Sequence, residues 1–191
     1  MTTFYMCRHG QTENNKNRRL SGWIDTPLTD EGVQHAHAAA QKLQGVTIDK
    51  IISSDLGRAF VTAYIIARDI HYADELGLAK ELREVNYGSL ANQLYDAYPD
   101  IPPEENTHYI APGGESLAQM QQRVLAYIRQ LSADNPDKTI LLAGHDGTIN
   151  AVRSSFTGQA MGIVDRIHNA HDFVGTFTYD DGHILSFREV N

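Results

Sequence analysis

Short apolar runs alternate along this chain with segments of helical period. Thr3–Cys7 reads as a first strand, Lys50–Ser53 as a second and Leu78–Arg83 as a third, weaker one. Thr139–Ala143, T-I-L-L-A, is bounded by polar residues and Gly144, the pattern of a strand buried on both faces. Between the strands, Thr29 caps a helix whose stripe is Val33, Ala36, Ala40 and Leu43, ended by Gly45. Gly57–Asp69 forms another, with Phe60, Ala63, Tyr64 and Ala67 on one side. Glu115–Leu131 carries Leu117, Met120, Val124, Tyr127, Ile128 and Leu131, the strongest helical period in the chain. Asp146–Phe156 is helical and directly follows the strongest strand. Phe173–Tyr179 and His183–Arg188 flank Asp180–Gly182, a hairpin signal. Leu94–Gly114 holds four of the six prolines and little period, so it reads as an irregular lid or substrate rim.

Alternating strands and helices predict an α/β fold, a three-layer α/β/α sandwich with a mostly parallel central sheet, built as a single domain over residues 1–191. Ligands in such sheets sit beyond the carboxyl ends of the strands. That directs the search to the residues just after Cys7, Ser53 and Ala143.

Composition narrows the partners. Lysine plus arginine is 16 and aspartate plus glutamate is 24, a net charge of −8, which argues against nucleic-acid and anionic-membrane partners. A single cysteine, no charged-then-apolar leader and no run of 18 apolar residues lead to the expectation of a soluble, cytoplasmic chain. Nothing in the sequence sets an oligomeric state. An anionic substrate would need the few cations gathered at one place.

The three strand ends offer such a place. Arg8-His9-Gly10 follows the first: arginine supplies a bidentate fork for phosphate or carboxylate, histidine a nucleophile or acid–base, and glycine close backbone approach. Gly144-His145-Asp146-Gly147 repeats this pattern at the start of a helix, whose free N–H groups favour an anion. After the second strand, Ser54 or Asp55 is placed to cap a helix, with Arg58 in its first turn, where an anionic ligand would offset the unfavourable helix dipole. Glu84, after the third strand, is a candidate general acid. Each motif alone is weak, and a surface arginine, a packed histidine or a salt-bridged glutamate would explain it better.

Taken together and in order, these segments resemble the histidine phosphatase superfamily, the phosphoglycerate-mutase-like phosphatases. The matching stretches are Arg8–Asn15, Leu20–Gly32, Ser53–Ala59, Leu82–Gly88, Pro112–Ser116, Gly144–Gly147, Asn169-Ala170 and the closing D-D-G hairpin. The resemblance implies that His9 is the nucleophile, forming a phosphohistidine. It implies that Arg8, Arg58, His145 and Asn15 bind the phosphoryl group, that His145 is also part of the catalytic set, and that Glu84 exchanges protons with the leaving alcohol and then water. Ser21 and Gly22 would contact the substrate, a small phosphomonoester. No metal and no cofactor are implied. Departures are Ser89-Leu90-Ala91-Asn92 after the acid loop, Asp146 after the second histidine, where a small residue is usual, and Asn150 in place of an arginine found in some relatives. Asp146 is expected to point away and cap its helix.

Other chemistries fit less well. A metal-dependent phosphohydrolase would place its His-Asp pair on a helix, and His35 and His37 do not share a helical face. A cysteine phosphatase needs arginine six positions after its cysteine, where Glu13 stands, so Cys7 reads as a buried strand residue. A cofactor-dependent phosphoglycerate mutase shares the pocket but has a longer insertion than Val85–Ala111 before Pro112. A non-catalytic phosphate-ester binding module would be suspected only if His9 or Glu84 were missing. Tyr95, Tyr98, His108 and Tyr109 are candidates for the substrate rim.

Overall fold

A computed structural model of the chain describes residues 1–165 and 167–191. The strands are β1 (Thr2–Arg8), β2 (Lys50–Ser54), β3 (Gly77–Ala79), β4 (Thr139–Gly144), β5 (Val174–Asp180) and β6 (His183–Glu189). They form one sheet in the order β3-β2-β4-β1-β5-β6. The first four in that order are parallel, and β5 and β6 add an antiparallel edge. This is the mostly parallel α/β sheet expected from the alternation of elements. Arg8 pairs in register with Gly144, and Ser53 with Ala143. The chain therefore leaves β1, β2 and β4 at one edge, with its polar junction residues side by side.

Alternation along the strands sends side chains to two cores. Phe4, Met6, Ile140 and Leu142 face one side, where α5 (Leu117–Asp134) and α6 (Asp146–Thr157) bring Met120, Val124, Ile128, Ile149 and Val152. Cys7, Ile51, Leu141 and Ala143 face the other, covered by Ala39, Ala40 and Leu43 of α2 (Asp30–Lys42) and by Ala63 and Ile66 of α3 (Gly57–Asp69). Each fully buried aliphatic side chain contributes about 1.5–3 kcal/mol. The thiol of Cys7 is buried, and desolvation pushes its pKa to about 12, which suits a packing role.

Several local expectations need correction. The third strand is only Gly77–Ala79, because Lys80–Leu82 turns into a 3-10 helix that drops Leu82 into the core. On α3 the buried face is Ala59, Thr62, Ala63 and Ile66, whereas Phe60 and Tyr64 are exposed. Small residues let α3 lie close to α2 and the sheet, a closeness the large aromatics would prevent. The helix expected from Glu115 starts at Leu117: Ser116 caps it, with Gln119 reaching back to the Ser116 N–H. It also runs past Leu131 to Asp134.

Between Leu94 and Gly114 the chain makes a 3-10 turn at Tyr95–Ala97 and a short helix, α4 (Pro103–Asn106), rather than a longer element. Leu94 bridges to Arg19, and α4 packs on α7 (Met161–Val164), where a Cβ on Gly162 would meet the Pro103 carbonyl oxygen at 1.9 Å. Among the described residues, no helix is long and apolar enough to cross a membrane.

Candidate active site

The ends of β1, β2 and β4 converge on His9. Its backbone N–H donates to the Gly144 carbonyl (3.1 Å), and its ring Nδ1 lies 2.7 Å from the carbonyl oxygen of Gly10. A proton on Nδ1 makes that bond and leaves Nε2 unprotonated, its lone pair turned to Arg58 Nε. Burial, together with the charges of Arg58 and Arg8, lowers the His9 pKa well below the ordinary histidine value, so the ring is neutral at physiological pH. Gly10 is required here by space: a Cβ would lie 2.0 Å from the Gly32 carbonyl oxygen, where the first turn of α2 presses on the loop.

Arg58 is almost wholly buried. Its Nε donates to His9 Nε2 (3.3 Å), and its other nitrogens donate to the carbonyls of Gly22 (2.7 Å) and Ile24 (3.0 Å). The expected cap of α3 is different. Neither Ser54 nor Asp55 fills that role, because Asp25 accepts hydrogen bonds from the Gly57 and Arg58 N–H groups. Asp55 is instead held in a bidentate pair by Arg83 (2.7 and 2.6 Å). Ser54 hydrogen-bonds to His145 Nε2 at 2.9 Å. His145 is fully buried, its ring centroid lies 5.2 Å from that of His9, and its Nδ1 has no partner. Arg8 donates to the Asn169 carbonyl, while its Nε also lacks a partner. Unpartnered buried donors next to a neutral imidazole are what an anion would satisfy.

Glu84 faces this group from β3's side. Its carboxylate accepts from the Val85 N–H (2.8 Å) and the Gly147 N–H at the start of α6 (3.2 Å). Burial nevertheless raises its pKa, with the Asp146 charge adding to the effect. The loop carrying it is clamped by Arg123, which donates to the carbonyls of Glu81, Arg83 and Glu84 and pairs with Glu115 (2.6 Å). Sequence reading did not single out Arg123, which its position in a regular helix disguised.

These residues line a cavity of about 560 Å³. Arg8, His9, Asn15, Ser21, Gly22, Arg58 and Glu84 all border it, whereas His145, fully buried, meets the His9 ring edge-on and is not part of its lining. Tyr95 and Tyr98 of the expected rim are also there. Tyr109 lines a small neighbouring crevice, and His108 borders neither. Further lining residues that the sequence did not flag are Arg18, Arg19, Tyr87, Asp165 and His168. Asn15 is tied by its Oδ1 to the backbone and hydroxyl of Thr12 (3.0 and 2.9 Å).

Asp146 does not cap α6, whose N-cap is His145. Its Oδ1 accepts from the N–H (2.9 Å) and the side-chain amide (2.7 Å) of Asn169, and His168 Nδ1 lies 3.4 Å from Oδ2. Asp146 thus anchors the loop whose carbonyl holds Arg8. The amide side chain of Asn150 is part of the same network, through Arg153 (2.5 Å) and Asn169 (3.2 Å).

A further residue acts on the nucleophile from behind. His171 Nδ1 lies 3.2 Å from the His9 carbonyl oxygen, and its ring stacks on His35, centroids 5.6 Å apart. Burial and the nearby Arg8 lower its pKa to about 4, so it is a neutral donor. We expect His171→Ala to lower kcat about tenfold, the value of one lost hydrogen bond, with little change in KM. His171→Asn, whose amide nitrogen reaches the same point, should restore it. Steady-state kinetics of the pair checks this, since a loss shared by both variants would reflect packing.

The model of the histidine phosphatase superfamily, branch 1, matches residues 4–190. A curated relative from Yersinia pestis, named probable phosphoglycerate mutase GpmB, is 34% identical over 172 residues, covering 83% of this chain and 76% of its own. Among solved structures, YhfR of Bacillus stearothermophilus is 26% identical with a TM-score of 0.85, covering 96% of this chain and 94% of that one. A mycobacterial glucosyl-3-phosphoglycerate phosphatase is 25% identical with a TM-score of 0.83, covering 98% of this chain and 96% of that one.

Proposed function

The chain belongs to the histidine phosphatase superfamily, and on that premise we propose that it hydrolyses small phosphomonoesters through a phosphohistidine on His9. The observation that carries this reading is the unprotonated Nε2 of a neutral His9, set by the Nδ1–H bond to the Gly10 carbonyl and met by the Arg58 guanidinium, with Arg8 and His145 beside it. Nε2 attacks phosphorus, and the bond between phosphorus and the ester oxygen breaks. Arg58 and Arg8 turn their donors to the phosphoryl oxygens, where charge develops, and His145 contributes its unpartnered Nδ1. Asn15, Ser21 and Gly22 shape the approach to the phosphoryl group.

Glu84, whose pKa burial raises, gives a proton to the departing alkoxide. Water then attacks the phosphohistidine, Glu84 takes its proton, the bond from phosphorus to Nε2 breaks, and inorganic phosphate leaves. The cationic side chains carry out the charge stabilisation, so no metal or cofactor takes part. We place this chemistry in the cytoplasm.

The competing reading is a phosphoglycerate mutase, prompted by the name of the Yersinia relative. The short Val85–Ala111 connection, folded as turns and one short helix, favours the hydrolase, because a mutase must shield its phosphohistidine from water. Two assays decide. Phosphate release across a panel of phosphomonoesters should proceed undiminished in excess chelator. With 3-phosphoglycerate and 2,3-bisphosphoglycerate, free phosphate should outpace formation of 2-phosphoglycerate; rapid interconversion with little phosphate would establish the mutase.

A further inference from the structure

Beyond Glu84 the cavity wall changes character. Asp165 lines it together with Tyr87, Tyr98 and His168. Among the described residues, the Asp165 carboxylate makes no hydrogen bond or ion pair, whereas the other acidic groups of the wall are already engaged. Asp146 is committed to Asn169 and His168, and Glu84 to two backbone N–H groups and, in the proposed reaction, to a proton.

Tyr87 and Tyr98 meet edge to face, with centroids 6.0 Å apart and planes at 82°, and form an aromatic corner. The Tyr98 hydroxyl is spent on Asn106 (2.7 Å). Burial pushes both phenols up, Tyr98 to about 12, and Asp165 lies near enough to this corner for its charge to add to the effect. A carboxylate that shares a cavity wall with two tyrosines is suited to a cation.

Glu84 and Asp165 share this part of the cavity, and Glu84 must reach the ester oxygen of the leaving group. The leaving group therefore lies against Asp165. The two arginines at the mouth are occupied: exposed Arg18 sits over Tyr95 and 3.5 Å from Asp96, and half-buried Arg19 donates to the Asn92 carbonyl (2.7 Å). His168 is mostly exposed, and its Nδ1 lies 3.4 Å from Asp146 Oδ2.

We propose that Asp165, with Tyr87 and Tyr98, forms a subsite for a positively charged nitrogen on the leaving group, so that the preferred substrates are phosphomonoesters of amino alcohols. The inference rests on the hydrolase reading above and deepens it. A second anion placed there would meet Glu84, Asp146 and Asp165 together. Without a ligand, burial and those neighbouring charges raise the Asp165 pKa to about 7, and an ammonium in the cavity would restore its ionised form.

The test compares three substrates of similar size that differ only at the far end: 2-aminoethyl phosphate, 2-hydroxyethyl phosphate and 2-phosphoglycolate, with p-nitrophenyl phosphate as a measure of hydrolysis itself. In the wild type kcat/KM should be about tenfold higher for the amine than for the alcohol, the value of one partly buried ion pair, and lowest for the carboxylate. Asp165→Asn should bring the amine-to-alcohol ratio close to one. Equal wild-type values, a carboxylate preference, or a ratio unchanged in Asp165→Asn would each overturn the subsite. The wild-type order decides alone if the variant does not fold. No hydrolysis of any of the four esters would instead overturn the hydrolase reading, and the subsite with it.

Discussion

Replacing His9 with alanine should lower phosphate release by on the order of 10⁴-fold while leaving the protein folded. The size of the loss follows from the role. Without the ring no phosphoenzyme forms, and Arg8, Arg58 and His145 can still bind the ester but have no nucleophile to direct. The fold should survive the change, at a lower melting temperature. His9 belongs to neither apolar core, and the ring's removal leaves only the Gly10 carbonyl and Arg58 Nε short of a partner. Two such losses cost about 1–3 kcal/mol each, so the melting temperature should fall by roughly 5–20 °C and the circular dichroism spectrum should be retained. Activity near the wild-type level in His9→Ala would remove His9 from the mechanism.

The second large effect is at Glu84. Proton donation by a placed carboxylic acid is worth about 10²–10⁴-fold, and Glu84→Gln should lose that much on alkyl phosphates. With p-nitrophenyl phosphate the leaving group needs no proton, so the first step should survive. The variant should then release about one equivalent of nitrophenolate per site in a burst and turn over slowly, because no base remains to activate water.

The pH profile carries the same information. The first step requires protonated Glu84 and neutral His9. The Glu84 pKa is raised, so wild-type activity falls as pH rises through that raised value. The His9 pKa is lowered, so activity persists to mildly acidic pH before imidazolium forms. In Glu84→Gln the alkaline fall assigned to Glu84 should vanish. A profile and burst identical to the wild type would show that another group is the acid.

The elements that carried the site were legible for a physical reason. A strand buried on both faces is a continuous apolar run, and its end is marked where polar and glycine residues begin, so Cys7–Arg8–His9 and Ala143–Gly144–His145 could be found by pattern. What escaped was whatever depends on contact between distant segments. Asp25 supplies the anion for α3 from a loop 32 residues upstream of Gly57, and no local capping rule points to it. Arg123 looks like any exposed helical arginine until the Glu84 loop is laid across it. Asp146 has the right type and place for a cap, but Asn169 lies close enough to claim its carboxylate. Asp165 has no sequence signal, since only the packing of α7 brings it to the cavity. The exposed Phe60 and Tyr64 show the limit of periodicity from the other direction: a stripe tells that a helix has faces, and close packing by small residues decides which face is buried.

The most direct measurement is to quench the wild-type enzyme within its first turnover on a ³²P-labelled phosphomonoester and map the label on the protein. The account predicts one phosphoryl group per chain, stable in alkali and labile in acid, on the peptide containing His9, and its decay by release of inorganic phosphate at a rate no slower than kcat. Label on any other residue, an acid-stable linkage, or rapid phosphate release with no trapped label would contradict it.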